Sequence, residues 1–179
     1  MGDGGLADHL DWESSRSQDF RQLASSMFMV DHYPEDKFPA VPPLETWLQQ
    51  SRTRVEERRT ALHVTFKIFA VLAKDSTYND CFDTRVSPVE FMFTGLLIWL
   101  HQEKFSLKQL AAAIVKMRND VRAKHGTPSI NHAVYRTMWE FVITKVNSLS
   151  VPRKEKGADR KSTRLNSSHS GESRMPSSA

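Results

Sequence analysis

The side chains able to hold a metal ion or attack a substrate are few and widely spaced in this sequence. Of its seven histidines, His169 lies in a serine-rich tail, and the other six lack the helical spacing with a glutamate that presents two imidazoles to one zinc ion. The single cysteine, Cys81, stands in a polar stretch without an identifiable base, as expected for an ordinary reduced thiol. No Ser-His-Asp arrangement and no glycine-rich phosphate loop can be assigned by spacing. We therefore predict no catalytic residues, no cofactor and no metal site.

Basic side chains recur on one predicted helix and are candidates for binding an anion. Because Asp120 stands among them, the alternative is that they form only the solvated side of an amphipathic helix. A helix-turn-helix is a second nucleic-acid hypothesis, since FSLKQLAAAIVKM resembles the opening helix of such modules. It fits poorly because the segment runs on helically instead of turning. The basic residues that lie off the apolar stripe, where phosphates can reach them, are Lys116, Arg118, Arg122 and Lys124.

One segment, Val86 to Gln102, is apolar around its whole circumference and must be enclosed by the rest of the chain. We predict a helix over about residues 88–102. Ser87 suits the N-cap, Pro88 suits the first turn, and Glu90 can reach back to the cap. The run is too short to span a bilayer, which needs about 20 apolar residues. The segment therefore predicts the buried centre of a helical domain.

Five further stretches have the spacing of amphipathic helices that can cover this centre. Ser106 and Gln109 repeat the capping-box spacing, and Gly126 is expected to end that helix in a left-handed conformation. No strand pattern competes. We predict an all-α fold, a single compact bundle of five or six helices around the buried central helix. The predicted starts are Ser17, Leu44, Arg52, Ser106 and Asn131, and the first two helices are expected to bury Phe20, Leu23, Ala24, Met27, Val30, Trp47 and Leu48.

Composition divides the 179 residues into four parts. Residues 1–16 are predicted to be a loose segment, although Leu6, Leu10 and Trp12 can dock on the body. Residues 17–147 are the helical domain, and residues 148–158 are a polar linker or a truncated end. Residues 159–179 are predicted to be a disordered, non-native tail, because DRKSTRLNSSH and SRMPSSA resemble a translated sequencing adapter. This tail supplies +2 of the chain's formal net charge of +4, so the charge of the remainder is weak evidence for a nucleic-acid partner.

Four motifs are more informative in their order than any one is alone. They are SQDFRQLASSMFMVDHYP, FPAVPPLETWLQ, VSPVEFMFTGLLIWLHQEKFSLKQLAAAIVKMRNDVRAKHG and YRTMWEFV. Together, over residues 12–142, they resemble the C-terminal helical part of fungal proteins of the GmrSD-like family, a domain-of-unknown-function family. The resemblance implies that nuclease activity belongs to an N-terminal, ParB-like domain with an Asp-Gly-Gln-Gln-Arg motif. That motif is absent from this sequence, so the resemblance assigns no catalytic residue here.

The resemblance implies a non-catalytic accessory or interaction region, which packs against a missing upstream domain of the same protein or against a protein partner. The alternative from another class is a nucleic-acid-binding module that uses the basic side of helix 107–125. Phosphate binding should weaken with salt and with Arg118→Ala plus Arg122→Ala, whereas a packing role should survive both changes. Because residues 1–10 show no secretory signal, we expect an intracellular protein, cytoplasmic or nuclear, with no membrane partner.

Overall fold

The computed structural model describes Leu10, residues 16–50 and residues 52–149. This part of the chain contains α-helices and no strand, which confirms the predicted all-α bundle. A 3₁₀ helix, Asn79–Phe82, precedes the central helix, and a π-helical turn, Phe141–Lys145, with one α-helical turn, Val146–Ser148, extends the last one. None of these helices is long and apolar enough to cross a membrane. The main helices are α1 (Arg16–His32), α2 (Val41–Gln50), α3 (Arg52–Lys74), α4 (Pro88–His101), α5 (Leu107–His125) and α6 (His132–Glu140).

The central helix α4 is enclosed on all sides, as its all-round apolarity predicts. Every residue from 89 to 98 is buried. At its start, Ser87 Oγ accepts a hydrogen bond from the Glu90 N–H at 3.4 Å, and Glu90 Oε2 accepts one from the Ser87 N–H at 2.8 Å. The predicted capping box is thus confirmed, and it places a fully buried carboxylate at the first turn of the central helix.

Helix α5 begins and ends as its sequence predicts. The Gln109 N–H donates to Ser106 Oγ at 3.3 Å, and the Ser106 N–H donates to Gln109 Oε1 at 2.8 Å. Gly126 follows the last turn with a φ of 66°, a value that favours glycine over residues with a side chain. Both ends are set by local sequence, so the position of α5 along the chain is well determined.

Helix α1 buries part of the predicted face. Ala24 and Val30 are buried and Met27 is partly buried, as predicted. Phe20 is 60% exposed and Leu23 is 36% exposed, so their assignment to the core is wrong. The inward positions that the prediction did not name include Ser25 and Ser26, which lie where α1 packs directly against α4, and a spacing pattern built on large apolar residues cannot reveal them.

The contact between α1 and α4 is tight at Gly95. A Cβ added at this glycine would overlap Ser26 Oγ, and it would lie 3.5 Å from Ser26 Cβ. The Ser26 hydroxyl donates to the Met92 carbonyl at 3.3 Å, so it bonds to the backbone of the helix that it touches. The absence of a side chain at Gly95 therefore sets how closely the two helices approach.

Leu10 docks on the body, as the sequence allows, and it is buried in the main core. The same expectation for Leu6 and Trp12 falls on residues outside those that the structure describes. Helix α2 differs in detail from expectation. Helix α2 starts at Val41 rather than Leu44, because a proline pair is tolerated in a first turn. Trp47 is buried as predicted, but Leu48 is 37% exposed and its predicted burial is wrong. The predictions for residues 150–179 lie outside the described residues.

Candidate functional site

The four basic residues predicted on α5 do not form one exposed surface. Arg118 is only 3% exposed. Its guanidinium donates to Glu90 Oε1 at 3.3 Å and to the backbone carbonyls of Cys81, Thr84 and Arg85. The expected place of Arg118 on a solvated helix side is therefore wrong, because this side chain is the counter-ion of a buried carboxylate.

Arg122 joins the same carboxylate from one turn further along α5. Its Nε donates to Glu90 Oε1 at 2.7 Å, and its Nη2 donates to Glu90 Oε2 at 2.9 Å, so the pairing is bidentate. It also donates to the Arg85 carbonyl at 2.6 Å and to Thr84 Oγ1 at 2.8 Å. We call Glu90, Arg118 and Arg122 the Glu90 cluster. It fastens the segment before α4 onto α5.

The two lysines of the predicted set have different surroundings. Lys124 Nζ lies 3.1 Å from Asp120 Oδ2, in a pair spaced by one helical turn. Lys116 is exposed and has no ion pair within the described ranges of the chain. The structure therefore leaves one unpaired cation from this set on the surface, and nucleic-acid contact by these residues stays a prediction.

The electrostatics of the Glu90 cluster keep its carboxyl group ionised. Burial alone would raise the pKa of Glu90. The hydrogen bonds from Arg122 and from the Ser87 N–H, together with the two guanidinium charges, outweigh burial and hold the pKa below its ordinary value of 4.5. The cluster contains two cations and one anion, so it has the character of a structural ion-pair network with positive charge left over.

Cys81 lies beside this cluster and is a poor candidate nucleophile. Its side chain is 1% exposed. Burial raises the pKa of its thiol to about 12, despite the opposing charge of Arg118. A thiolate is the reactive form of cysteine, so this thiol is chemically quiet in the folded protein.

His101, at the end of α4, contacts the π-helical turn. Its Nε2–H donates to the Val142 carbonyl at 3.5 Å, and its ring stacks on Phe105 with centroids 4.9 Å apart. Burial lowers the pKa of this imidazole, because the charged form is disfavoured away from water. Its Nδ1 is buried without a hydrogen-bond partner in the described residues. With 5% of its surface exposed, this ring is positioned to hold α4 against residues 141–145 rather than to meet a substrate.

A solvent-open cleft of about 930 Å³ lies between α1, α2 and α6, and we call it the aromatic cleft. Its size is within the range of ligand-binding clefts in proteins. The Phe28 and Trp47 rings meet edge-on at 5.8 Å, and the Phe38 and Tyr135 rings meet edge-on at 5.0 Å. The His132 ring lies 4.4 Å from Phe38. Phe28 is 2% exposed, Trp47 8% and Tyr135 3%, so these rings form the buried base of the cleft, whereas the half-buried Phe38 and the exposed His132 offer aromatic surface to anything that enters it.

Internal hydrogen bonds hold these rings in place. Trp47 Nε1–H donates to Asp31 Oδ2 at 2.9 Å, and the Tyr135 hydroxyl donates to the Lys37 carbonyl at 3.0 Å. Burial raises the pKa of the Tyr135 phenol, and the Asp36 carboxylate adds to this shift, so the hydroxyl stays protonated. The aromatic cleft thus has a preorganised apolar floor. The side chains at its margin include Gln50, His132 and Arg136, which can donate to a ligand.

Comparisons with known proteins give no assignment. No protein-family model matches the chain, and no curated protein and no solved structure matches it either. No group of three or more histidine, cysteine, aspartate or glutamate side chains that could hold a metal ion occurs in the described part of the chain. The geometry of the clefts and clusters is therefore the basis for any functional proposal.

Sequence reasoning missed the aromatic cleft because its walls are distant in the chain. Phe28, Trp47 and Tyr135 belong to three helices, and only the packing of those helices brings the rings together. The sequence shows only that Phe38, Pro42, Pro43 and Trp47 lie close together along the chain. The two prolines stand in the first turn of α2, where proline is tolerated, so no local pattern points to the rings on α1 and α6.

Proposed function

We propose that this chain is a helical interaction region without catalytic residues of its own, the accessory region of a GmrSD-like protein. Its binding site is the aromatic cleft, which takes an extended, proline-containing segment of the protein that it packs against. The single observation that carries the proposal is the set of aromatic rings from separate helices around one open cleft. The motif order described above supports the family and the accessory role.

The chemistry of the aromatic cleft suits a proline-containing peptide. Proline-rich segments adopt a preformed extended helix, and they dock their rings against aromatic surfaces at small entropic cost. Trp47 and Tyr135 use their polar atoms internally and are buried, so they support the more exposed Phe38 and His132 rings, against which the peptide packs. Arg136 and Gln50 line the same cleft and can donate to the free carbonyl groups of such a peptide.

Titration of the protein with a decaproline peptide, followed by ¹H–¹⁵N NMR, tests this proposal. We expect the Trp47 indole signal and the amide signals of Phe38 and Tyr135 to shift. Thr46→Arg should weaken the binding by about tenfold or more, because Thr46 lines the cleft and arginine fills it. Gln49→Arg is the matched control, since Gln49 is exposed on the same helix, makes the same charge change and does not line the cleft.

A glycine-serine decapeptide and a ten-residue oligothymidylate complete the experiment. Shifts from decaproline alone that disappear in Thr46→Arg support the proposal. Absence of shifts with decaproline at millimolar concentration contradicts it. Equal loss of binding in Thr46→Arg and Gln49→Arg also contradicts it, and shifts from the oligothymidylate alone would assign the rings to base stacking.

The nucleic-acid alternative on α5 needs a different test from the one that the sequence suggested. Arg118→Ala or Arg122→Ala removes a partner of the buried Glu90 carboxylate, so either change disturbs the fold as well as any binding. Lys116→Glu changes an exposed charge of α5 alone. Binding to DNA or RNA that is both sensitive to salt and lost in this variant would support the alternative.

A further inference from the structure

Gln22 on α1 is a buried amide with an unsatisfied acceptor. The residue is 5% exposed, and its Oε1 has no hydrogen-bond partner in the part of the chain that the structure describes. A buried polar atom without a partner is costly, and such atoms in folded proteins call for a specific reason. The reason suggested here is a ligand, because Gln22 lines two cavities at once.

The two cavities have Gln22 and Pro88 in common, and we treat them as one groove across α1 and the start of α4. One has a volume of about 440 Å³ and extends toward Arg122 and the turn after α5. The other has a volume of about 360 Å³ and extends past Met92 to Ile130. We call the combined surface the arginine groove. It shares no lining residue with the aromatic cleft.

The charged side chains that line the arginine groove within the described residues are all basic. They are Arg21, Arg85 and Arg122. Arg122 is paired with Glu90, but that carboxylate is shared with Arg118, so the cluster behind the groove retains positive charge. Asp83 adds negative charge near Arg122, and with Asp80 it lines a smaller cavity that shares Thr84 and Arg122 with the groove. The Arg21 end, where no described carboxylate lines the groove, is therefore the better place for an anion. A ligand with negative charge is therefore favoured.

The apolar lining distinguishes a peptide from a nucleic acid. Pro88 and Ile130 provide aliphatic surface, and Ile130 is 47% exposed, whereas Met92 lies buried beneath them. No aromatic ring of the described residues lines the arginine groove, so this part of the chain gives it no stacking surface of the kind on which single-stranded nucleic acids depend. The Gln22 amide can pair with a peptide N–H through Oε1, which is the acceptor that the folded protein leaves unsatisfied.

We propose that the arginine groove binds an acidic, extended segment of a protein partner. A main-chain N–H of this segment donates to Gln22 Oε1, its carboxylates meet Arg21, and its apolar side chains cover Pro88 and Ile130. This site is independent of the aromatic cleft, so the two proposals can fail separately.

Fluorescence anisotropy with a labelled octapeptide of alternating glutamate and valine, added to the full chain, tests the proposal. We expect binding at low salt that weakens as salt rises, and no binding of the matching lysine-valine peptide. Arg21→Glu should weaken the binding by about tenfold or more, because it reverses a charge on an exposed wall residue. Gln22→Leu should weaken it by about tenfold through loss of the acceptor.

Lys116→Glu is the matched control, because it makes the same charge change at an exposed residue outside the arginine groove. Circular dichroism checks that each variant is folded. If Gln22→Leu does not fold, the result for Arg21→Glu decides the test. Equal weakening by Arg21→Glu and Lys116→Glu would reduce the effect to overall charge and overturn the site. Failure of the glutamate-valine peptide to bind, or binding of oligothymidylate in its place, would overturn the peptide proposal while leaving decaproline binding at the aromatic cleft unaffected.

Discussion

Glu90 combines two tasks in one buried side chain. It closes the capping box of α4 through Ser87, and it accepts hydrogen bonds from Arg118 and Arg122 of α5. The same carboxylate thus fixes where the central helix begins and how α5 lies against it. A carboxylate with several charged donors is stable only while it is ionised, so its protonation state is linked to folding.

Acid should destabilise the protein through Glu90. Because its pKa in the folded protein is lowered from 4.5, this group contributes stability above its unfolded pKa and loses that contribution as pH falls through its folded pKa. Glu90→Gln should reduce the free energy of unfolding at neutral pH by about 3–5 kcal/mol, because Arg118 is left buried without its anion. The variant should also lose less stability than the native sequence on acidification. Urea unfolding at pH values from about 7 to 3 measures both effects.

Glu103→Gln is the control for this experiment, since Glu103 is exposed just beyond α4. It should change neither the unfolding free energy at neutral pH nor its dependence on acid by more than about 0.5 kcal/mol. If Glu90→Gln shows the same acid dependence as the native sequence, the link between Glu90 ionisation and stability is wrong.

At the scale of helices, the contact between α1 and α4 depends on small side chains. Ser26 meets α4 where Gly95 has no Cβ, and its hydroxyl bonds to the Met92 carbonyl. Glycine in a helix normally costs about 1 kcal/mol relative to alanine, so its presence in the middle of the central helix needs a packing reason. The Ser26 hydroxyl provides that reason.

The effect of Gly95→Ala on the free energy of unfolding should therefore depend on whether Ser26 is present. In the native sequence the new methyl collides with Ser26 Oγ and should lower the free energy of unfolding by about 1–3 kcal/mol. In a Ser26→Ala background the obstacle is gone, and the same change should be neutral or stabilising by up to about 1 kcal/mol through helix propensity. Chemical denaturation of the four proteins of this double-mutant cycle measures the coupling. Additive effects would show that the two helices do not meet at this point.

The ends of α4 and α5 could be predicted because caps are local. Ser87 with Glu90, and Ser106 with Gln109, are three residues apart, and the sequence displays each pair directly. The burial of Ser26 on α1 could not be predicted, because it depends on a glycine about 70 residues away along the chain. The burial of Arg118 was missed for the same reason. Its anion is 28 residues distant, and arginine on an amphipathic helix is usually solvated.

For the whole molecule, the class of fold follows from helical spacing, but the concave surfaces do not. A helical period identifies α4 as central and predicts helices around it. The aromatic cleft and the arginine groove arise from how those helices are placed. The aromatic cleft combines residues of α1, α2 and α6 with the segment between α1 and α2. The arginine groove combines residues of α1, the start of α4 and α5 with the segments beside them. Local sequence patterns therefore could not predict the candidate sites, although the sequence shows the aromatic and basic residues that form them.

Cys81 should report on the integrity of the folded protein. Its pKa of about 12, compared with an ordinary value of 9.0, implies roughly a thousandfold less thiolate in the folded protein. We expect its reaction with a disulfide reagent to be slow in the native state and fast in denaturant. As a control, Ser76→Cys in a Cys81→Ala background places the only thiol on an exposed turn, and it should react quickly in both conditions. Equal native rates for the two thiols would contradict the burial of Cys81.

The reactivity of the Cys81 thiol also depends on how often the segment before α4 opens. The Arg118 guanidinium donates hydrogen bonds to the Cys81 and Thr84 carbonyls. The Cys81 thiol therefore becomes reactive only when this segment separates from the rest of the bundle. The arginine groove is lined by Thr84, Arg85 and Ser87 of the same segment. A ligand bound in the arginine groove would stabilise the closed segment. The rate at which a reagent modifies the Cys81 thiol would therefore fall as the occupancy of the groove rises. Binding of an unlabelled partner would thus be measurable from the modification rate of Cys81, which lies beside the Glu90 cluster.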